Sequence, residues 1–323
     1  MTTHALPYAS PLEFAPLRAV LAAHAVPGVE SVAAHGVRRT VPVDGHLARV
    51  TVDWSAAQSS RQSSSGAARI ELTVDGAPRR YTDRIVHTVR CWLDLDADPD
   101  RRRRMFQDDP VLGPLVQERP GLRILGSADP WETAAGTVLG QQVSLAGART
   151  LTGRLAATFG RRSGTDVAFP RPEDVVEAPL EDLRAAVGVP LARATAVRTL
   201  AEAVLDGSVT LAHPSGPEFR ERLTSLRGIG PWTAEYLALR LGDRDACPTG
   251  DLVLRRALGA ASEAEVRRAT RSWAPLRAWA VFHLWTRDSF ADTSARTASR
   301  PVTSRSRHGA VSGNPPRPPR RAL

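Results

Sequence analysis

Residues 228–251 read G-I-G-P-W-T-A-E-Y-L-A-L-R-L-G-D-R-D-A-C-P-T-G-D, a glycine-rich turn, a helical stretch, a loop and a single acid. Gly228 and Gly230, either side of Ile229, free the backbone to turn sharply. Pro231 suits the first turn of a helix, whose leading N–H groups would be free to bind a phosphate oxygen. A backbone grip on phosphate followed by a carboxylate implies a nucleic-acid ligand. Asp251 is also a good helix N-cap by its position before L-V-L-R-R-A-L, because its side chain can accept from the first free N–H groups. The local sequence favours the capping role, and the two roles are compatible.

Aromatic residues surround this run. Trp232 and Tyr236 are four residues apart and share one helical face, a spacing that serves a packed core as readily as a pocket wall. In W-A-P-L-R-A-W-A-V-F-H-L-W (273–285), Leu276, Trp279, Ala280, His283 and Leu284 form one apolar stripe, with Trp285 roughly opposite. Trp285 therefore needs a second surface to meet, either a ligand or a second packing layer shared with Ala278 and Val281. His283 is assigned to packing or a buried hydrogen bond.

The run resembles the helix-hairpin-helix (HhH-GPD) DNA glycosylases, most closely the DNA-3-methyladenine glycosylase II, or AlkA, type. L-G-Q-Q-V-S (139–144), F-P-R-P-E-D followed by L-R-A-A-V-G-V-P-L-A-R-A (169–194) and the 273–285 segment are similar to that family's helices, in order, from about residue 5 to residue 290. The resemblance implies an enzyme of base excision repair that flips alkylated bases, such as 3-methyladenine, out of double-stranded DNA and hydrolyses the N-glycosidic bond to leave an abasic site. It makes Asp251 the catalytic acid, places Trp232, Tyr236 and Trp285 around the base, and puts Gly228, Ile229 and Gly230 on the DNA backbone. It assigns Gln141 and Gln142 as the wedge that fills the vacated space, and the carbonyls of Thr224, Leu226 and Gly228 as ligands of a structural Na⁺ or K⁺, with no other cofactor required. Two positions depart from the pattern: Gln142 stands where the family has Leu, and Thr286 where Tyr is expected, which implies a roomier or more polar pocket. A noncatalytic damage-binding protein of the same fold is the alternative.

All 43 basic residues are Arg. A glycosylase that also nicks the strand uses an amine to form a Schiff base, and the position the family uses for it holds Trp232, so no lyase activity is expected. The two cysteines, Cys91 and Cys247, are too few for a four-cysteine iron–sulfur site and read as buried thiols. The net charge of +9 is weak evidence for nucleic acid, because residues 291–323 hold seven Arg against one acid. Arg101–Arg104 read as a solvated charged face. No run is apolar enough to span a bilayer and no signal peptide is evident, so a cytoplasmic, nucleoid-associated monomer is expected.

The elements that must position these residues read as α+β. An N-terminal antiparallel sheet (1–104) carries a hairpin about Val43-Asp44-Gly45, a third strand at 69–74 and helices near 13–24 and 82–95, with a flexible Ser-rich loop at 55–68. Residues 105–290 read as an all-helical core without strands. Residues 291–323, rich in Ser, Pro and Arg, are expected to be a disordered tail.

Overall fold

The computed structural model describes residues 1–59, 68–163 and 166–298. Its N-terminal part is a five-stranded antiparallel sheet in the order β1-β5-β4-β3-β2. The strands are β1 (Thr2–Pro7), β2 (Glu30–Val32), β3 (Gly36–Val43), β4 (His46–Asp53) and β5 (Arg69–Asp75), interspersed with helices α1 (Phe14–His24), α2 (Ser55–Ser59) and, after the sheet, α3 (Thr82–Trp92). Val43 pairs with His46 across the two-residue turn Asp44-Gly45, and both turn residues have positive φ (43° and 77°). That is the conformation whose twist matches paired strands. The expected hairpin, third strand and two helices are all present, while β1 and β2 had no clear alternating signal. The Ser-rich segment begins as the short helix α2 instead of a loop, because Asp53 accepts from the Ser55 N–H and hydroxyl and starts a turn. Residues 60–67 of that segment lie outside the described residues.

The helical part comprises α4 (Pro99–Phe106), α5 (Leu112–Glu118), α6 (Pro130–Leu139), α7 (Leu145–Phe159), α8 (Pro172–Glu177), α9 (Leu180–Val187), α10 (Leu191–Leu205), α11 (Pro217–Ser225), α12 (Pro231–Leu241), α13 (Leu252–Ala257), α14 (Glu263–Ala269) and α15 (Arg277–Ala298). Helix α4 crosses the division expected after residue 104. Between α7 and α8 a short hairpin, β6 (Arg161–Ser163) with β7 (Asp166–Ala168), interrupts a region expected to hold no strand. Three-residue strands carry too little alternation to be read from sequence. Their pairing is stabilised by the other domain, where the Thr40 hydroxyl donates to the Val167 carbonyl (3.0 Å) and Arg49 pairs with Asp166. Helix α15 runs eight residues past the boundary expected at 290, through F-A-D-T-S-A-R-T-A, which contains no Gly or Pro to stop it. Residues 299–323 lie outside the described residues.

One continuous apolar core links sheet and helices, with Trp54, Leu72, Leu93, Phe106, Leu139, Leu200, Leu237 and Trp279 fully buried. Two expectations fail against it. Arg102 of the arginine run is buried, paired with Asp94 at 2.8 Å and stacked over Trp279, because it occupies the inward face of α4. Cys91 is exposed, and only Cys247 is a buried thiol.

His283 packs edge-on against Trp279, ring centroids 4.1 Å apart, and is 2% exposed with its Nε2 unpartnered among the described residues. Burial, reinforced by Arg102 and Arg119, pushes its pKa down to about 3. A depressed folded-state pKa gives stability that is complete above the unfolded value and is lost as pH falls from there toward the folded one. The expected outcome is that, on going from pH 7.5 to 5.0, wild type loses about 2 kcal/mol more than His283→Gln, which keeps every other titrating group, His24 included. Urea midpoints of both proteins at the two pH values check this.

Candidate active site

Helices α11 and α12 flank the glycine turn. Gly228 takes φ +92°, and a Cβ there would lie 2.9 Å from the Ala196 side chain, so both conformation and space require glycine. Ile229 is buried and anchors the turn, its N–H donating to the Leu226 carbonyl at 3.1 Å. Gly230 precedes Pro231, and no side chain caps the first N–H groups of α12. These donors suit an anion such as a phosphate oxygen.

Asp251 caps α13 as its position implied: Oδ1 accepts from the N–H groups of Val253 (2.9 Å) and Leu254 (3.0 Å). It is also held by two indoles. Trp232 Nε1 donates to Oδ2 at 3.1 Å and Trp285 Nε1 to Oδ1 at 3.0 Å. Trp232 and Tyr236 stack with centroids 5.2 Å apart and planes 14° apart, and Tyr236 meets Trp285 at 5.8 Å and 42°. The three aromatics and Asp251 thus line one cavity of about 460 Å³. The second surface that Trp285 needed is this cavity, while Ala278 and Val281 are wholly buried in the packing beside it.

The N-terminal domain closes the cavity with a residue that sequence reasoning missed. His24 Nδ1 lies 2.9 Å from the Val20 carbonyl, which can only accept, so Nδ1 carries the proton and Nε2 faces the Tyr236 hydroxyl at 3.4 Å. Arg240 donates to the same hydroxyl (2.7 Å) and to the carbonyls of Leu125 and Gly126. Burial, with Arg240 beside it, lowers the His24 pKa to about 3 and keeps it neutral. The tyrosine ring is therefore fixed at its hydroxyl by both domains. No local signal marks His24, which is 212 residues from Tyr236.

Gln141 is not free to act as a wedge. Its amide donates to the Gly228 carbonyl (2.9 Å) and to the Thr233 hydroxyl (3.1 Å), tying α6 to the turn. Gln142 is exposed with φ +58°, so of the two it alone is available to DNA. The carbonyls of Leu226 and Gly228, expected on a cation, each already accept a hydrogen bond from within the chain, from Ile229 and Gln141. Thr286 is buried and its hydroxyl donates to the Phe282 carbonyl in its own helix, outside the cavity lining. It therefore adds no polar group to the pocket lining. Among the described residues no cluster of His, Cys, Asp and Glu could hold a metal ion, and no helix is long and apolar enough to cross a membrane.

An acid held at the mouth of an aromatic cavity beside a helix-hairpin-helix turn defines a class. Residues 3–129 match the AlkA N-terminal domain, and residues 135–273 match the HhH-GPD superfamily of base excision DNA repair proteins. The chain belongs to the HhH-GPD superfamily, in its AlkA-type branch. It is 36% identical over 294 residues to the probable bifunctional transcriptional activator/DNA repair enzyme AlkA of Mycobacterium tuberculosis, covering 87% of this chain and 56% of that protein. It is 36% identical over 180 residues to DNA-3-methyladenine glycosylase 2 of Escherichia coli, covering 54% of this chain and 64% of that protein. The chain thus matches less than two thirds of the length of either relative. In fold it is similar to the 3-methyladenine DNA-glycosylase from Archaeoglobus fulgidus, with a TM-score of 0.74 at 24% identity over 90% of this chain and 99% of that one.

Gly228→Ala tests the turn. Positive φ and the clash with Ala196 should cost about 1–2 kcal/mol, seen as a lower urea midpoint than wild type.

Proposed function

We propose that this protein is a monofunctional DNA glycosylase that takes alkylated bases from double-stranded DNA into the aromatic cavity and hydrolyses the N-glycosidic bond, acting as a monomer in the cytoplasm. The observation that carries this reading is the Asp251 carboxylate, held by both indole N–H groups at the edge of the cavity.

Cleavage of an N-glycosidic bond develops an oxocarbenium-like sugar. A carboxylate that is already oriented stabilises that charge without reorganising, and can orient or deprotonate the attacking water. An alkylated purine such as 3-methyladenine already carries positive charge and leaves without a strong general acid, so one carboxylate suffices. The faces of Trp232, Tyr236 and Trp285 offer cation–π attraction, about 0.5–2 kcal/mol per contact, which favours charged damaged bases over normal ones. The turn and the N-terminus of α12 position the DNA through its phosphates without reading sequence. Gln142 stands closest in sequence to the tied Gln141 and supplies the group that enters the vacated space. The absence of lysine from the whole chain supports base release without strand cleavage. No step is assigned to a cation at the turn.

The deciding experiment is release of free methylated bases from alkylated duplex DNA, with strands assayed for nicks before and after alkali. Wild type should release bases and yield nicks only after alkali, and Asp251→Asn should bind DNA equally but lose at least about 100-fold in release rate. Release by Asp251→Asn at the wild-type rate would remove the acid from the mechanism, and binding without release by either protein would favour a damage-binding role. Trp285→Phe keeps a ring in the cavity but removes one donor to Asp251. It should lower the single-turnover rate about tenfold while changing duplex affinity less than about threefold.

A further inference from the structure

The cavity does not end at the aromatic residues. It reaches between the two domains to Glu30 on β2, Arg39 on β3, Trp92 at the end of α3 and Glu132 on α6. Arg39 lies between the two carboxylates, donating through Nη1 to Glu30 Oε2 (2.8 Å) and through Nη2 to Glu132 Oε2 (2.6 Å), with its guanidinium over Trp92 at 5.3 Å. Glu132 is 7% exposed and Arg39 4%. Arg39 is the one side chain that hydrogen-bonds these two carboxylates among the described residues, while Arg240 and Arg149, which also line the cavity, act on Glu30 through their charge. The nearby Asp129, also buried, spends its side chain on the Trp131 and Glu132 N–H groups that cap α6.

The remaining carboxylate oxygens are unusual. Among the described residues none donates to Glu30 Oε1 or Glu132 Oε1, yet neither oxygen is sealed from solvent, and both residues line the cavity. A clamp between the domains needs only the two oxygens that Arg39 binds. The other two oxygens are left to accept from whatever occupies the cavity, and burial pushes Glu132 up to about 7. The volume of about 460 Å³ lies in the range of sites that enclose whole small molecules, roughly 300–1,000 Å³. A flat base held among the aromatics beside Asp251 thus leaves room toward these acids.

We propose that the inner end of the cavity is a recognition subsite for a substituent on the displaced base that donates hydrogen bonds or carries positive charge, such as an N-alkyl chain ending in an ammonium group, with Glu132 and Glu30 as its acceptors. This rests on the base-release reading above. It adds a substrate class defined by the chemistry of the substituent: a tail that donates completes the hydrogen bonding of the two carboxylates, while an apolar tail of the same shape leaves both oxygens without a donor.

The test compares duplexes containing one 7-methyl-, 7-propyl- or 7-(2-aminoethyl)guanine, the last two having nearly the same shape, after subtraction of spontaneous loss. Wild type should release the aminoethyl base about 10- to 100-fold faster than the propyl base, the range expected for one charge-assisted hydrogen bond. Glu132→Gln, which keeps the side-chain shape and a partner for Arg39, should lose this preference while 7-methylguanine release stays within about threefold, and Glu30→Gln should weaken it in the same direction. Equal release of the two bulky bases by wild type would overturn the subsite. So would an equal fall for all three bases in a Glu132→Gln protein with an unchanged melting temperature, since that marks a structural clamp. A second arm does not depend on catalysis: free 7-(2-aminoethyl)guanine should quench the indole fluorescence at lower concentration than free 7-propylguanine, and lose that advantage in Glu132→Gln. If no base is released from any duplex, the glycosylase reading fails, and this binding comparison still decides the subsite.

Discussion

Everything in the site converges on how the Asp251 carboxylate is held. It accepts two N–H groups from α13, one indole from α12 and one from α15. Four donors fix both oxygens and leave the group partly open to the cavity. The same two indoles present their faces to that cavity, so the residues that orient the acid also shape the place where a base would lie. A shift of α12 or α15 would disturb acid and pocket together, and this is why the core packs those helices so completely around Leu237, Trp279 and Leu284.

The N-terminal sheet is part of this arrangement. His24 and Arg240 hold the Tyr236 hydroxyl from opposite sides of the domain junction, and Arg240 is itself anchored on the carbonyls of Leu125 and Gly126. The Arg39 pairs with Glu30 and Glu132 cross the same junction deeper in the molecule. Burying such charges stabilises little in net terms, but removing one partner leaves the other unpaired at a cost of about 3–5 kcal/mol. The domains are thereby fixed in register, and the cavity between them keeps its shape.

Legibility in the sequence followed the range of the interaction. The hairpin at Asp44-Gly45, the turn at Gly228 and the capping role of Asp251 depend on backbone conformation within a few residues, and each was readable. So was the pairing of Trp232 with Tyr236 on one helical face. The β6–β7 hairpin, the burial of Arg102 and the exposure of Cys91 were not, because each is decided by what the rest of the fold sets against that residue. Gln141 shows the limit well: as a type it suits a wedge, but its neighbours in space are the Gly228 carbonyl and Thr233, which engage its amide.

The sequence by itself determined the α+β order of elements, the glycine turn, the acid that follows it, the aromatic residues available to a pocket and the lack of any lysine amine. These are properties of residue type and local spacing, which the chain carries before it folds. Only the tertiary structure decided that Trp232 and Trp285 donate to Asp251, that His24 reaches Tyr236, that the Thr286 hydroxyl is spent on its own helix and that Glu30 and Glu132 share one arginine. Those relations join residues from 9 to 212 positions apart. Such contacts form only when apolar burial has brought distant elements together, so no local pattern encodes them.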